Sequence, residues 1–188
     1  MLGIAFKEWA AICEALASGR QALILRKGGI AEAEGEFRPD YQRFWLYPTY
    51  VHQQETGLKP TESHWLTLAR QNRPPLGRIH LQAWCDVGPV RYFDQIEPLL
   101  ALAEWHIWSE TTVIQRFHYR RLGLFVLPVR VFVRAQSQDL LELPEYAGCK
   151  TWVEFPADSA SELNEQPATP VLTQPAYEAV LHAVRQFG

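Results

Sequence analysis

The sequence has few cysteines, no long apolar run and no excess of basic residues, and each absence excludes a class of protein. Three of the 188 residues are cysteine, and no pair of them has the CxxC spacing of a zinc ribbon or redox motif. No apolar run approaches the roughly 20 residues that span a bilayer. With 18 basic against 21 acidic residues, the chain is not a generally basic nucleic-acid binder. We therefore expect no metal site, no cofactor and no membrane association.

The composition is typical of a folded intracellular domain. Hydrophobic residues make up 47% of the chain and charged residues 21%, which favours one compact core over disorder. The first eight residues, MLGIAFKE, lack the charged and apolar segments of a secretory signal. We expect a cytoplasmic protein with reduced thiols.

The charges are unevenly distributed along the chain. Residues 156–188 carry four acidic residues against one basic residue, whereas residues 1–155 are balanced in formal charge. Within that balanced part, the window 111–138 holds five arginines and no acidic residue. A local anion site is therefore compatible with a net charge of -3.

Hydrophobic periodicity predicts the helices and strands. Spacings of three and four residues predict helices over about 5–18, 60–71, 94–105 and 175–187. Apolar or alternating runs predict strands over 21–26, 43–47, 79–87, 124–133 and 150–155. The β-branched residues at 111–114 favour a further strand over 112–119, paired with 124–133 in an antiparallel hairpin.

These elements predict an α+β fold. We expect a single domain over 1–188, with a mostly antiparallel sheet and three or four flanking helices. Its core covers 1–155, and a Pro-rich acidic connection at 156–174 leads to a C-terminal helix at 175–187. That helix has an apolar stripe, which we expect to dock on the body or to serve as a partner or self-association surface; its members are Tyr177, Val180, Leu181, Val184 and Phe187.

Two cations precede two glycines at the end of the first predicted strand. Arg26 and Lys27 leave the strand just before Gly28 and Gly29. Glycines allow backbone N–H groups to approach an anion, and the cations add charge, so the segment could cradle a phosphate. It lacks the Walker pattern, and the alternative is a turn that ends a strand.

A polar loop follows the second predicted strand. Pro48 closes the strand, and Thr49, His52 and Gln53 come directly after it. Polar side chains at a strand end are a common site geometry, and a histidine can act as acid or base near neutral pH. A capping or structural role for His52 is the alternative.

The arginine window contains a candidate platform. In the predicted strand, Arg116, His118 and Arg120 share one face, with Phe117 and Tyr119 between them. Interleaved cations and aromatic rings are typical of a nucleic-acid surface. The alternative is a charged sheet face paired with acidic residues elsewhere.

Several blocks together resemble a known family. The blocks lie at residues 25–30, 44–49 with 52–53, 106–108, 130–131 and 146–154. In sequence and in order, these blocks resemble the microbial family catalogued as domain of unknown function 1802. The resemblance covers nearly the whole chain and implies one complete domain. It implies no activity, substrate, cofactor or catalytic residue.

Three functional hypotheses remain open. The first is a binding module for a phosphate-bearing ligand, with nucleic acid preferred; its ligand-binding residues are Arg26, Lys27, Thr49, Gln53, Arg116, His118, Tyr119 and Arg120. The second is a metal-independent phosphodiesterase-like enzyme, with His52 or His106 as acid or base and an arginine stabilising the developing anion. The third is an assembly factor that acts through the C-terminal helix, with a homo-oligomer formed through that helix as one expected form.

Overall fold

A computed structural model describes residues 3–27, 41–148, 150–164 and 167–187. In that part of the chain, the strands are β1 (Ile4–Trp9), β2 (Leu23–Arg26), β3 (Arg43–Thr49), β4 (Arg78–Val87), β5 (Arg91–Phe93), β6 (Leu124–Leu141), β7 (Trp152–Glu154) and β8 (Ala168–Pro170). The α-helices are α1 (Ala10–Ala17), α2 (His64–Gln71), α3 (Ile96–Ala101), α4 (Glu110–His118), α5 (Ala157–Asn164) and α6 (Gln174–Phe187).

The strands form one mixed sheet. Its order is β2-β6-β4-β3-β1-β7, and β5 and β8 pair with β6 outside that path. The pair β1–β3 is parallel, and the other pairs of named strands are antiparallel. The predicted α+β class is confirmed, with a sheet that is mixed and with more helices than the three or four expected.

The longest strand, β6, organises the sheet. It spans 18 residues and pairs with β2, β4, β5 and β8. Its first half is buried because it is covered on both faces, which explains its nearly continuous apolar sequence. The predicted strand at 124–133 is therefore correct but too short, since polar residues continue it to Leu141 along the rim of the sheet.

The prediction of a helix over 5–18 was wrong in its first half. Residues 4–9 form β1, which lies between β3 and β7, and the helix begins only at Ala10. Phe6 packs its ring 5.1 Å from the ring centres of Phe44 and Trp152, so tertiary packing decides for a strand there.

The prediction of a strand over 112–119, and of its hairpin, was also wrong. These residues belong to α4. Ser109 caps the helix, because its Oγ accepts a hydrogen bond from the backbone N–H of Thr112, and Glu110 lies in the first turn, where a negative charge is favoured. Burial of Val113 and Phe117 on one face outweighs the modest helix penalty of the β-branched residues.

The C-terminal part is more ordered than a plain connection. Residues 156–174 contain α5 and also β8, which pairs with β6. The predicted C-terminal helix is confirmed as α6, and Tyr177, Val180 and Val184 are buried. Three of the five stripe residues thus dock on the body of the protein, whereas Leu181 is half-buried and Phe187 is 38% exposed.

Candidate functional site

The turn between α4 and β6 presents a group of exposed cationic and aromatic side chains, which we name the cationic turn (residues 118–122). His118, Tyr119, Arg120 and Arg121 are all exposed. Arg120 adopts a left-handed backbone conformation, with φ of 62°, and its guanidinium carbon lies 5.0 Å from the centre of the Tyr119 ring. The chain reverses sharply here, which directs these side chains away from the core.

Lys27 anchors the cationic turn to the end of β2. Its ammonium donates hydrogen bonds to the carbonyl oxygens of Phe117 at 2.7 Å and Gly123 at 2.9 Å, and also to that of Arg121. An ammonium has three N–H donors, so these three carbonyls engage all of them. Burial, and next the Arg121 charge, lower the pKa of Lys27. The predicted glycine cradle at Gly28 and Gly29 lies outside the described residues.

The other end of the cationic turn is held by β5. The Tyr92 hydroxyl donates to the Leu122 carbonyl at 2.6 Å. Gly123 has φ of 100°, and a side chain there would overlap the Tyr92 hydroxyl. The turn is therefore fixed from both sides, with Arg91 exposed beside Tyr92.

Arg26 and Arg116, both predicted ligand-binding residues, influence each other inside the protein. Arg26 donates to Thr151 Oγ1 at 2.7 Å, and the Arg116 guanidinium carbon lies 3.7 Å from the centre of the Trp108 ring. Burial lowers the pKa of Arg116, the Glu8 charge raises it and the Arg26 charge lowers it. Sequence reasoning did not select Glu8, which lies within the predicted helix over 5–18 but belongs to β1 in the structure.

The platform of Arg116, His118 and Arg120 on one strand face does not exist. Arg116 lies on α4 against Trp108, His118 ends the helix, and Arg120 follows it in the cationic turn. Tyr119 and Arg120 nevertheless remain neighbours, because the turn brings the arginine over the tyrosine ring.

The loop after β3 holds the backbone of β1 and α1. Thr49 donates through Oγ1 to the carbonyl oxygen of Glu8 at 3.0 Å, and Gln53 accepts at Oε1 from the backbone N–H of Ala11 at 2.9 Å. Gln53 thereby caps the first turn of α1, whose own N-cap residue makes no side-chain hydrogen bond. His52 is exposed and has φ of 64°.

His106 lies in the interior. It is 1% exposed, and within the described part of the chain neither ring nitrogen forms a hydrogen bond of normal geometry, although the Trp108 backbone lies near enough to raise the pKa of the ring. Burial, followed by the charges of Lys59, Arg20 and Arg116, lowers its pKa to about 3, so the ring is neutral at physiological pH. The Lys59 ammonium donates to the carbonyl oxygens of Ala103 and His106, which explains the cation beside the ring.

A second buried group without a partner is Arg134 on β6. The residue is 1% exposed, and Nε, Nη1 and Nη2 form no hydrogen bond with any residue in the described ranges. Its guanidinium carbon lies 5.5 Å from the centre of the Trp45 ring, and burial lowers its pKa. Arg134 belongs to the arginine window, but nothing in the sequence distinguished it from the other four.

The described residues hold neither a metal-binding cluster nor a membrane-spanning helix. Among them, no group of three or more histidine, cysteine, aspartate or glutamate side chains could hold a metal ion. Across the same ranges, no helix is long and apolar enough to cross a membrane.

The fold is that of the ASCH structures. The chain is similar to ASCH from Zymomonas mobilis, with a TM-score of 0.52, 12% identity, and coverage of 87% of this chain and 95% of that one. A tyrosine-to-phenylalanine variant of the same protein gives a TM-score of 0.51 at 10% identity over 87% and 98% of the two chains. A serine-to-alanine variant gives 0.50 at 12% identity over 85% and 92%.

The chain belongs to the family described as domain of unknown function (DUF1802), whose model matches residues 5–183. No curated protein matches it in sequence. The resemblance inferred from the sequence blocks is thereby confirmed.

Proposed function

We propose that this protein is a binding module for a phosphate-bearing ligand, with nucleic acid as the preferred ligand. The observation that carries the proposal is the cationic turn, in which two adjacent exposed arginines and a tyrosine are held in place from both sides. A fixed turn lowers the conformational entropy that binding must overcome.

The charge of the turn is available to a ligand. Arg91, Arg120 and Arg121 form no ion pair with any residue that the structure describes. Guanidinium groups suit the bidentate geometry of phosphate oxygens better than ammonium groups do. Lys27 contributes mainly by holding the turn, since its three donors are already engaged.

The aromatic side chains favour nucleic acid over a small phosphate. Tyr119 is 57% exposed and Tyr92 is 44% exposed, so both rings offer surface on which a base can stack. Stacking of a base on an aromatic ring contributes about 1–3 kcal/mol and tolerates any sequence. A single-stranded ligand presents such bases freely, so we expect it to bind more tightly than the duplex.

Fluorescence anisotropy with a labelled single-stranded oligonucleotide, and with the matching duplex, tests the proposal at about 50 mM and about 200 mM salt. The double variant Arg120→Ala/Arg121→Ala should weaken binding at least about tenfold at the lower salt. It should also reduce the salt slope by about 0.7 for each lost phosphate contact with single strands.

The matched control removes the same charge elsewhere. Arg70 on α2 and Arg185 on α6 are exposed, and neither contributes to the cationic turn. The double variant Arg70→Ala/Arg185→Ala should retain the affinity and the slope of the wild type. No binding at the lower salt, or an equal loss in both double variants, would overturn the proposal.

A further inference from the structure

A cavity of about 290 Å³ lies between α3, the start of α4 and the residues around Lys59. Its walls are mainly apolar and include Leu99, Leu100, Trp108 and Val113. His106 is the only imidazole among the residues that line it. A cavity of this volume is large for a small protein, because native interiors are close-packed with few voids.

The cavity has a buried floor and an exposed rim. Leu99, His106 and Trp108 are each 1% exposed, whereas Pro60 and Glu110, which also line the cavity, are exposed. A ligand therefore has an entrance at the rim and can reach the histidine at the floor. Apolar pockets with a few polar groups at fixed positions are the usual form of a small-molecule site.

The histidine at the floor has unmet hydrogen-bonding capacity. A neutral imidazole carries one N–H donor and one acceptor nitrogen, and in His106 neither forms a hydrogen bond of normal geometry with a residue that the structure describes. The Trp108 backbone acts on the ring and raises its pKa, but it does not meet that geometry. A buried polar group without a partner costs about 1–3 kcal/mol. Its persistence at the floor of a cavity is explained if a bound molecule supplies the missing partner.

We propose that this cavity binds a small, uncharged heteroaromatic molecule of the size of an indole or a purine, hydrogen-bonded through a ring nitrogen to His106. The size follows from the volume, since an apolar cavity of about 150 Å³ holds one benzene ring. The absence of charge follows from the lining, because Lys59 and Glu110 have opposite signs and the remaining walls would desolvate an ion at high cost.

This site goes beyond the proposed function and does not depend on it. The cationic turn faces solvent at the far end of α4, after His118, whereas the cavity begins at its first turn, at Ser109 and Glu110. Loss of oligonucleotide binding would leave the cavity proposal intact, and failure of the cavity proposal would leave the turn unaffected.

Calorimetric titration of the full chain with benzimidazole and with indene tests the proposal. The two molecules have the same bicyclic shape, but only benzimidazole has ring nitrogens. We expect benzimidazole to bind at least about tenfold more tightly, because it satisfies His106 whereas indene leaves it unpaired. Equal affinities, or no binding of either molecule at millimolar concentration, would contradict the proposal.

Two variants separate the histidine from the cavity itself. His106→Phe keeps an aromatic ring but removes both nitrogens, so it should bring the affinity for benzimidazole down to that for indene. Ala103→Leu adds bulk to a cavity-lining position and should abolish binding of both probes. An unchanged preference for benzimidazole in His106→Phe would overturn the role of the histidine.

Nuclear magnetic resonance of the wild-type chain tests the same proposal without any variant, so it still applies if a variant does not fold. The ¹⁵N chemical shifts of the ring nitrogens of His106 in the wild-type chain should move on addition of benzimidazole and stay in place with indene. Shifts that respond equally to both probes would show an apolar cavity without recognition by His106, and would refute the proposal.

Discussion

Two regions of this protein hold polar nitrogen groups that form no ion pair or hydrogen bond of normal geometry with the described residues, and the two regions differ in what that costs the stability of the fold. In the cationic turn, the guanidinium groups of Arg120 and Arg121 are exposed and remain hydrated. In the interior, the nitrogens of His106 and Arg134 are buried and form no hydrogen bond of normal geometry with the residues that the structure describes.

The difference in stability cost indicates why each kind of residue is retained in the protein. A hydrated guanidinium costs the fold little, so an exposed arginine pair can be retained for binding alone. A buried group without a partner lowers the stability of the unliganded protein, so its retention needs either a ligand or a compensating contact. Substitutions in the two regions should therefore have opposite effects on stability and on binding.

The largest predicted change in the free energy of unfolding should come from lowering the pH. The pKa of His106 is about 3 in the folded chain and 6.5 in the unfolded chain. Between these two pH values, the imidazole is therefore protonated in the unfolded state and neutral in the folded state. The contribution of His106 to stability is therefore present above pH 6.5 and is lost as the pH falls toward 3, by about 1.4 kcal/mol per unit and roughly 5 kcal/mol in all.

Urea unfolding at several pH values between 7 and 3.5 measures this loss. His106→Phe should remove this part of the slope, because the variant has no titratable group at this position; the charges that act on the ring, those of Lys59, Arg20 and Arg116, are retained in it. Identical pH dependence in the wild type and the variant would show that His106 is hydrated or already hydrogen-bonded. His106 would then not belong to the buried groups without a hydrogen bond.

The second effect concerns the support of the cationic turn. Gly123→Ala should lower the free energy of unfolding by about 3 kcal/mol or more, because the new side chain would overlap the Tyr92 hydroxyl and lie 2.9 Å from the Phe93 carbonyl oxygen at a φ of 100°. The control is Gly77→Ala, at a φ of 77° with open space around it, which should cost only about 1 kcal/mol. Similar losses in both variants would mean that Tyr92 does not fix the turn.

The third effect has the opposite sign. Arg134→Met should raise the free energy of unfolding by about 2 kcal/mol, because an uncompensated buried charge is replaced by an apolar chain of similar length. Arg130→Met on the same strand is the comparison, because there only Nε is buried without a hydrogen bond to a described residue, whereas all three nitrogens are in Arg134. It should cost up to about 1 kcal/mol, since the Arg130 guanidinium lies within 6 Å of the Phe132 and Tyr177 rings. Destabilisation by Arg134→Met in denaturant unfolding would reveal an anionic partner.

The sequence predicts well those parts of the fold that depend on local pattern. The strands around 21–26, 43–47 and 79–87 and the C-terminal helix follow from apolar runs and a clear helical stripe. The prediction failed at 112–119, where β-branched residues indicated a strand while the cap at Ser109 and the burial of one face decided for a helix. A single capping hydrogen bond and tertiary packing are hard to weigh against propensity in one sequence.

The candidate site divides in the same way. Tyr119 and Arg120 were selected for their types and do lie together, although in a turn and not on a strand. The state of His106 and Arg134 could not be foreseen, because burial and the lack of a partner depend on which elements pack around them. Residues of α3 and α4, for example, form the cavity around His106.

The smallest change in stability should follow from removing the exposed arginines of the cationic turn. This prediction separates the cationic turn most clearly from the buried groups of the interior. Arg120→Ala/Arg121→Ala should change the free energy of unfolding by less than about 0.5 kcal/mol, because both side chains are exposed and neither forms an ion pair with a described residue. The same variant should lose oligonucleotide affinity, whereas Arg134→Met should gain stability and keep that affinity. Thermal unfolding and fluorescence anisotropy, measured on the same preparations, therefore distinguish arginines that serve ligand binding from an arginine that only lowers the stability of the unliganded protein. If Arg120→Ala/Arg121→Ala lowered the unfolding temperature, the residues of the cationic turn would have a structural role.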